Sequence, residues 1–211
     1  MNVRAQMDKI YGDLSLEEIP WNAAGPPDLL VEQVESGRIL PCCAVDLGCG
    51  AGNYAVWLAS RGFEMTGIDI SPKALGLARR LANEKSVSCR FVTADLCGDV
   101  PLLEGSFDFA YDWEVLHHIF PENRGQYAAN VHRMLRSGAC YLSVCFSEDD
   151  PSFGGTGKYR KTRLGTTLYF SGEPELRDLY EPLFMVEELC TVEVAGKHGS
   201  HLAVKALLRK K

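Results

Sequence analysis

Three glycines at alternate positions, with aspartates on either side, are the residues of this chain best suited to hold a ligand. The segment 45–53 ends an apolar run, carries glycines at 48, 50 and 52, and leads directly into a helical pattern. Glycine has no Cβ and tolerates positive φ, so backbone and ligand can approach closely. A helix start adds unpaired N–H groups and the positive end of the helix dipole. The spacing therefore predicts a binding loop for an adenosine-bearing ligand with a polar or anionic tail.

The spacing of the glycines and the carboxylate of Asp46 discriminate between cofactors. A dinucleotide fingerprint reads G-x-G-x-x-G, and its third glycine allows close helix packing. This chain reads G-x-G-x-G, with Asn53 at the third fingerprint position. A carboxylate two residues before the first glycine would repel a pyrophosphate but attract an ammonium or sulfonium group. Both observations favour S-adenosylmethionine over a nicotinamide dinucleotide.

Four segments resemble the successive motifs of class I S-adenosylmethionine-dependent methyltransferases. They are D-L-G-C-G-A-G-N-Y at 46–54, G-I-D-I-S at 67–71, A-D-L at 94–96 and S-F-D-F-A-Y-D-W-E-V-L-H-H-I at 106–119. The resemblance covers residues 40–147 closely and the terminal strands in outline. It implies a seven-stranded sheet with an antiparallel last strand. It also implies S-adenosylmethionine as methyl donor and S-adenosylhomocysteine as product.

Acidic residues after the glycines are candidates for the remaining cofactor contacts. Asp69 ends a predicted strand, where a carboxylate can accept hydrogen bonds from both ribose hydroxyls; the alternative is helix capping beside Ser71. By the resemblance, Asp95 accepts from the adenine amino group with the N–H of Leu96 nearby, unless Asp95 is only a turn residue. By the same resemblance, Glu114 or its backbone lies next to the methionine part. The predicted cofactor-binding residues are Trp21, Asp46, Gly48, Gly50, Asn53, Tyr54, Asp69, Ile70, Asp95, Leu96 and Glu114.

A pair of histidines follows the fourth predicted strand, and imidazole titrates near neutral pH. We predict His117 as a general base or substrate contact and give His118 less weight, because adjacent side chains point in different directions. The alternative is that both are structural. Asp112 either lies near the methionine part or faces the substrate. The other histidines show no metal-ligand spacing, so no metal site is predicted.

The acceptor is less well defined by the sequence than the donor. The region after the fourth strand lacks the Asn/Asp-Pro-Pro-Tyr/Phe run of methyltransferases acting on adenine or glutamine amino groups. It also lacks the Pro-Cys nucleophile of the cytosine-C5 type. The predicted reaction is therefore methyl transfer to an S, N or O atom of a small molecule. A non-catalytic S-adenosylmethionine-binding protein and an NAD(P)-dependent oxidoreductase stay open as alternatives.

Two segments outside the motifs are expected to lie over the site. Trp21 resembles the N-terminal tryptophan of the thiopurine and thiol methyltransferase branch, where this segment covers the cofactor; a packing anchor is the alternative. Tyr11 is a weaker companion candidate. The segment 154–163 is glycine-rich at its start and has four cations after it. It either closes over an anionic substrate or is a solvated loop.

The apolar patterns place these residues on alternating strands and helices from residue 42 onward. Strands are predicted at 43–47, 63–70, 88–94, 107–113, 139–146, 184–195 and 200–208, and helices at 53–60, 72–83, 121–136 and 171–180. Such alternation implies a parallel sheet covered on both faces by right-handed crossovers. With the resemblance, this predicts an α/β Rossmann-like three-layer sandwich whose seven-stranded sheet is mostly parallel and has an antiparallel last strand. We expect one domain over 1–211, with a helical cap or lid at 1–37, a cofactor-binding core at 40–147, and a substrate-side loop, helix and strand pair at 148–211.

Composition restricts the partners of the chain. The 211 residues carry a net charge of −6, which argues against a phosphate-backbone binder. There is no apolar run long enough to span a membrane and no apolar signal core at the N-terminus. None of the eight cysteines forms a C-x-x-C pair, and most lie in apolar runs, so we expect reduced core residues. A cytoplasmic protein without nucleic-acid or membrane partners is predicted, and nothing indicates its oligomeric state.

Overall fold

The computed structural model describes residues 3–23, 25–98, 100, 104–154 and 157–211. The strands are β1 (Cys43–Leu47), β2 (Glu64–Asp69), β3 (Cys89–Thr93), β4 (Phe107–Trp113), β5 (Leu135–Phe146), β6 (Tyr159–Lys161), β7 (Thr167–Tyr169), β8 (Phe184–Gly196) and β9 (Gly199–Lys210). The helices are α1 (Val3–Asp13), α2 (Asp28–Glu35), α3 (Asn53–Ala59), α4 (Pro72–Glu84), α5 (Pro121–Met134) and α6 (Glu173–Tyr180). A short 3-10 turn spans Leu116–His118.

Seven strands form one sheet in the order β3-β2-β1-β4-β5-β9-β8. Strands β1 to β5 pair in parallel, whereas β9 is antiparallel to both β5 and β8. The chain moves outward in opposite directions from β1 and from β4. The crevice between their carboxyl ends is therefore the topological switch point, where ligands bind in open α/β sheets. The predicted Rossmann-like fold with an antiparallel last strand is confirmed.

Alternate side chains of the strands pack into two apolar layers, one on each face of the sheet. On β1, Val45 and Leu47 belong to the layer that packs against α5 and α6, and Ala44 belongs to the layer beneath α2 and α3. This division follows from the two-residue period of a strand. Because both faces are covered by helices, the carboxyl edge of the sheet is the part of the core left open for a ligand.

The N-terminal region forms an apolar cluster of its own with the glycine loop and α4. Met7, Ile10 and Tyr11 of α1 pack there with Ile19 and with Ala74 of α4. Leu164, in the turn between β6 and β7, packs against the same cluster. These contacts hold the N-terminal region and the β6–β7 turn on the side of the sheet where the glycine loop lies.

Strand β5 begins at Leu135, whereas the sequence pattern predicts a helix to residue 136 and a strand from 139. Leu135 continues the helical apolar spacing of α5, but its backbone is extended, with φ −82° and ψ 149°, and it pairs with Phe107 of β4. A register shift between Phe107 and Phe109 absorbs the extra residues. Pairing with β4 therefore overrides the helical pattern.

The hairpin of β6 and β7 was not predicted, because a three-residue strand is too short to show a readable alternation. It includes the cationic half of the segment 154–163. Gly155 and Thr156, in the glycine-rich half of that segment, lie outside the described residues.

Candidate active site

A cavity of about 290 Å³ lies at the switch point between β1 and β4. All the residues predicted from the sequence to bind the cofactor line it. The cavity extends from the glycine loop after β1, past Asp69 at the end of β2, to Asp95 after β3 and Glu114 after β4. Four strand ends therefore bring together residues that lie up to about seventy positions apart in the chain.

Close contacts explain why the first two glycines of the loop have no side chain. Gly48 has a φ of 76°, and a Cβ added to it would lie 2.5 Å from Cγ2 of Val115. Gly50 has a φ of 51°, and its added Cβ would lie 2.5 Å from the phenol oxygen of Tyr11. Both positions combine a backbone conformation that favours glycine with a space too small for a methyl group. Side chains at these positions would collide with Val115 and Tyr11, so the loop keeps this conformation only with glycine.

Asp69 joins the glycine loop to the start of α4. Its Oδ2 accepts the N–H of Gly50 and its Oδ1 accepts the N–H of Ser71, each at 2.8 Å. Burial raises the pKa of Asp69, while the two N–H groups counteract that rise. The helix cap itself is Ser71, whose Oγ accepts the N–H of Ala74. Since each carboxylate oxygen has a second lone pair, Asp69 retains the capacity to accept ribose hydroxyls from the cavity.

Asp46 lines the same cavity and has a buried carboxylate. Its Oδ2 has no hydrogen-bond partner among the described residues. Burial raises the pKa of Asp46 to about 7. The Tyr111 phenol and the N–H of Ala55 offset part of that rise in the pKa, and a nearby cation would stabilise the ionised carboxylate further. The site therefore fits a ligand that carries an ammonium or sulfonium group, as S-adenosylmethionine does.

The N-terminal region covers the glycine loop through polar as well as apolar contacts. Trp21 Nε1 donates to the phenol oxygen of Tyr11 at 2.9 Å, and its ring contacts His118 edge to face, with centroids 6.1 Å apart. Asn53 Nδ2 donates to Oδ1 of Asn22 and to the carbonyl of Ala23. Asn53, which stands where the fingerprint has its third glycine, thus connects α3 to residues 22 and 23.

Lys197, in the turn between β8 and β9, contacts the backbone of residues 16–22. Its Nζ lies 2.6 Å from the carbonyl oxygen of Glu17 and 3.1 to 3.3 Å from those of Leu16, Ile19 and Asn22. The sequence contains no signal for this contact, which joins residues about 180 positions apart. The residues 16–22, which we call the N-terminal loop, are therefore held by backbone contacts as well as by Trp21.

Glu114 has an unusual backbone conformation and a partner that sequence reasoning missed. Its φ is 61°, in the left-handed region that residues other than glycine rarely adopt. Its Oε1 lies 2.7 Å from Nε2 of His201 on β9, and both side chains are largely buried. Strain of this kind persists where the surrounding structure demands it, and it concentrates at functional sites.

The two histidines after β4 lie in different surroundings. His117 is buried, stacks on Phe146 with ring centroids 4.3 Å apart, and does not line the cavity. His118 does line it, and burial lowers the pKa of His118 to about 4. The sequence-based prediction favoured His117 over His118, whereas His117 lies in the core and His118 lines the cavity. Both rings are neutral near pH 7, because burial also holds the pKa of His117 well below its usual range.

Asp112 is likewise part of the core. It accepts hydrogen bonds from the phenols of Tyr127, at 3.0 Å, and of Tyr141. Burial raises the pKa of Asp112 to about 6. Because Asp112 does not line the cavity, the expectation that it faces the substrate or the methionine part is not met.

The far end of the cavity is organised around the turn after β3. Asp95 Oδ1 accepts the N–H of Cys97 at 2.9 Å. Asn130, on α5, donates to the carbonyl oxygens of Leu96 and Gly98. The turn-aspartate interpretation of Asp95 is thus realised, while Asp95 and Leu96 both still line the cavity.

Two of the four cations after Gly157 are already engaged within their own region. Lys158 Nζ lies 2.6 Å from Oε2 of Glu175, and Arg160 donates to the carbonyl oxygens of Asp150 and Glu148. Neither residue lines the cavity. These contacts favour a structural role for this segment over binding of an anionic substrate.

Within the described part of the chain, no group of three or more His, Cys, Asp or Glu side chains is arranged to hold a metal ion. The helices of that part are also too short or too polar to cross a membrane. The eight cysteines are free thiols.

Known proteins resemble this chain in sequence and in fold. Residues 44–138 match the family model described as a methyltransferase domain. An uncharacterized methyltransferase of Synechocystis is 35% identical over 100 residues, which are 47% of this chain and 45% of that protein. A 2-heptyl-1-hydroxyquinolin-4(1H)-one methyltransferase of Mycobacteroides abscessus is 26% identical over 173 residues, which are 81% of this chain and 70% of that protein.

A similar solved structure comes from work on the conversion of a disulfide bond into a thioacetal group during echinomycin biosynthesis. It has a TM-score of 0.84 and 24% identity, covering 100% of this chain and 93% of that one. Residues 44–138 therefore carry a methyltransferase domain, and the fold and the cavity fit those of the class I S-adenosylmethionine-dependent methyltransferases. The chain spans about half the length of the Synechocystis relative that it matches.

Proposed function

We propose that the protein transfers the methyl group of S-adenosylmethionine to a sulfur, nitrogen or oxygen atom of a small molecule. The observation that carries the donor is the buried carboxylate of Asp46, which lines the same cavity as Asp69 and Asp95. The M. abscessus relative, which is named for a hydroxyquinolinone, supports an acceptor of similar size. A cytoplasmic location and the absence of nucleic-acid partners stay predictions from composition.

The residues around the cavity divide the recognition of the cofactor among them. Asp69 would accept from the ribose hydroxyls, Asp95 and the N–H of Leu96 would contact adenine, and Asp46 would face the positively charged part. When bound, S-adenosylmethionine supplies a methyl group activated by the sulfonium. The N-terminal loop would keep water away from that end of the cavity.

Methyl transfer is an in-line displacement, so the protein needs little covalent participation. The rate would come mainly from holding the acceptor close to the methyl carbon in a dry site. A base is needed only when the acceptor atom is protonated at the working pH. The neutral, buried His117 is therefore not required by the proposal.

Thermal-shift titrations with S-adenosylmethionine, S-adenosylhomocysteine, NADH and NADPH test the donor, since a true ligand stabilises the folded state. We expect only S-adenosylmethionine and S-adenosylhomocysteine to raise the melting temperature. In Asp46→Asn, the increase caused by S-adenosylmethionine should be smaller. Formation of S-adenosylhomocysteine is then measured with a panel of phenols, thiols and amines. Cofactor binding without turnover on any acceptor would indicate a binding protein, and stabilisation by NADH or NADPH alone would contradict the proposal.

A further inference from the structure

A second cavity, of about 520 Å³, adjoins the cofactor cavity. It lies between the N-terminal loop, with the prolines that follow it, and the turn between β8 and β9. The residues that line both cavities are Trp21, Asn22, Tyr54, Trp113 and Glu114. These residues form a wall common to the two cavities, and Trp113 and Glu114 place it at the carboxyl end of β4.

The walls of the second cavity are mostly flat and apolar. Trp21, Tyr54 and Trp113 contribute aromatic faces, and Pro20, Pro26 and Pro27 contribute ring surfaces. Aromatic walls favour flat ligands that stack face to face or edge to face. Pockets of this kind place a few polar groups among apolar walls to orient the ligand.

Glu114 is the charged residue of this wall that is shielded from solvent and could still accept a proton or a hydrogen bond from a ligand. Of the other charged residues that line the cavity, Glu17 and Asp28 are exposed, and the ammonium of Lys197 is held by backbone carbonyls. The Glu114 side chain is 13% exposed, and His201 binds its Oε1. For Oε2 no hydrogen bond is found within the described residues. One carboxylate oxygen of Glu114 therefore stays available at the wall that the two cavities share.

We propose that the second cavity is the acceptor site, that it takes a flat aromatic molecule with an O–H, N–H or S–H group, and that Glu114 accepts the proton. The inference rests on the proposed methyl transfer and specifies its substrate class. The acceptor atom forms a bond to the methyl carbon, and the carbon–sulfur bond breaks with its electron pair remaining on sulfur. The proton of the acceptor atom goes to Oε2 of Glu114. His201 is a positioning residue, which holds the carboxylate through Oε1.

Binding is tested first, by calorimetry on the protein saturated with S-adenosylhomocysteine. We expect 2-naphthol to bind and decahydro-2-naphthol, its saturated counterpart, to bind at least about tenfold more weakly, because stacking needs an aromatic face. Ala195 lines only the second cavity. Ala195→Trp should abolish naphthol binding without changing the affinity for S-adenosylhomocysteine. The matched control is Met185→Trp, at an exposed residue of the same strand that lines neither cavity, and it should change neither affinity.

The role of Glu114 is tested by comparing two acceptors. 2-Naphthol is protonated at neutral pH, whereas 4-nitrothiophenol is already ionised. We expect Glu114→Gln to lower kcat for naphthol by about 100-fold or more and to change that for the thiolate far less, since only naphthol needs a base. His201→Gln should lower kcat for naphthol less than Glu114→Gln does and shift its pH profile, with the KM for naphthol unchanged.

Several results would overturn the inference. Absence of naphthol binding at millimolar concentration, or naphthol binding that survives Ala195→Trp, would remove the acceptor site while leaving the proposed function intact. Equal losses for naphthol and thiolate in Glu114→Gln would show that Glu114 acts on the cofactor alone. Failure of S-adenosylhomocysteine to bind the wild-type protein would instead overturn the proposed function, and this inference with it.

Discussion

The indole N–H of Trp21 donates a hydrogen bond to the phenol oxygen of Tyr11, 2.9 Å away, and that oxygen occupies the space where a side chain on Gly50 would lie. The N-terminal loop, helix α1 and the glycine loop are thus joined at one point. Any ligand on the glycine loop therefore lies beneath a polar contact between two aromatic residues. This relationship makes the cover over the cofactor cavity testable with single-atom changes.

Tyr11→Phe should weaken S-adenosylmethionine binding by about three- to tenfold, the effect of losing one hydrogen bond. The phenyl ring of the variant would keep the apolar contacts of Tyr11, so the melting temperature of the ligand-free protein should change little. Calorimetric titration measures the affinity. Tyr159→Phe, at an exposed tyrosine, is the matched control. An unchanged affinity in Tyr11→Phe would show that the N-terminal loop closes independently of this contact.

Asp69→Ala should lower the affinity for S-adenosylmethionine by about ten- to a hundredfold, through the loss of ribose contacts. The substitution also removes the acceptor for the N–H groups of Gly50 and Ser71, so the loop itself would loosen. The affinity of Asp69→Asn, which keeps one carbonyl oxygen, should lie between those of the wild-type protein and Asp69→Ala. Calorimetry on both variants, with their melting temperatures, separates ligand contacts from loop stability. Wild-type affinity in Asp69→Ala would exclude the ribose role.

Asp46 should make cofactor affinity depend on pH around 7, because burial raises its pKa to about 7. A cationic ligand favours the ionised carboxylate, so affinity should rise as pH increases through this value, with release of a proton. Calorimetry in buffers of different ionisation enthalpy measures that release. Asp46→Asn should abolish it, and proton release that persists in this variant would assign it to another group.

The same pKa shift predicts a stability change in the ligand-free protein. Between the ordinary carboxyl pKa and about 7, folded Asp46 keeps a proton that the unfolded chain has released. The free energy of unfolding should therefore decrease as pH rises through this window. Denaturant titrations should show this decrease with pH in the wild-type protein and its loss in Asp46→Asn. An identical pH dependence in both proteins would contradict the raised pKa.

Lys197→Met should loosen the N-terminal loop, because it removes an ammonium that contacts four backbone carbonyls. We expect faster amide hydrogen exchange in residues 16–22 and weaker cofactor binding, with the sheet unaffected. Lys161→Met, at an exposed lysine of β6, is the matched control. Unchanged exchange in the loop would mean that Trp21 and Asn53 hold it without Lys197.

Much of the core fold could be read from the sequence because its signals are local. The glycine spacing, the apolar run of β1 and the Ser71-Pro72 start of α4 each depend on neighbouring residues alone. The start of β5 was misjudged because pairing with β4 outweighs the helical spacing up to Leu135. The β6–β7 hairpin was missed because its strands have three residues each.

The sequence by itself favoured S-adenosylmethionine as the cofactor. The spacing of the glycines and Asp46 indicates it through local geometry, and four motifs in order resemble those of a known family. Only the tertiary structure decided which side chains face the cavity. It placed His118 there and His117 in the core, brought His201 to Glu114 across 87 positions, and set Lys197 on the N-terminal loop. Such contacts arise when distant segments pack, and no short-range pattern of residues records them.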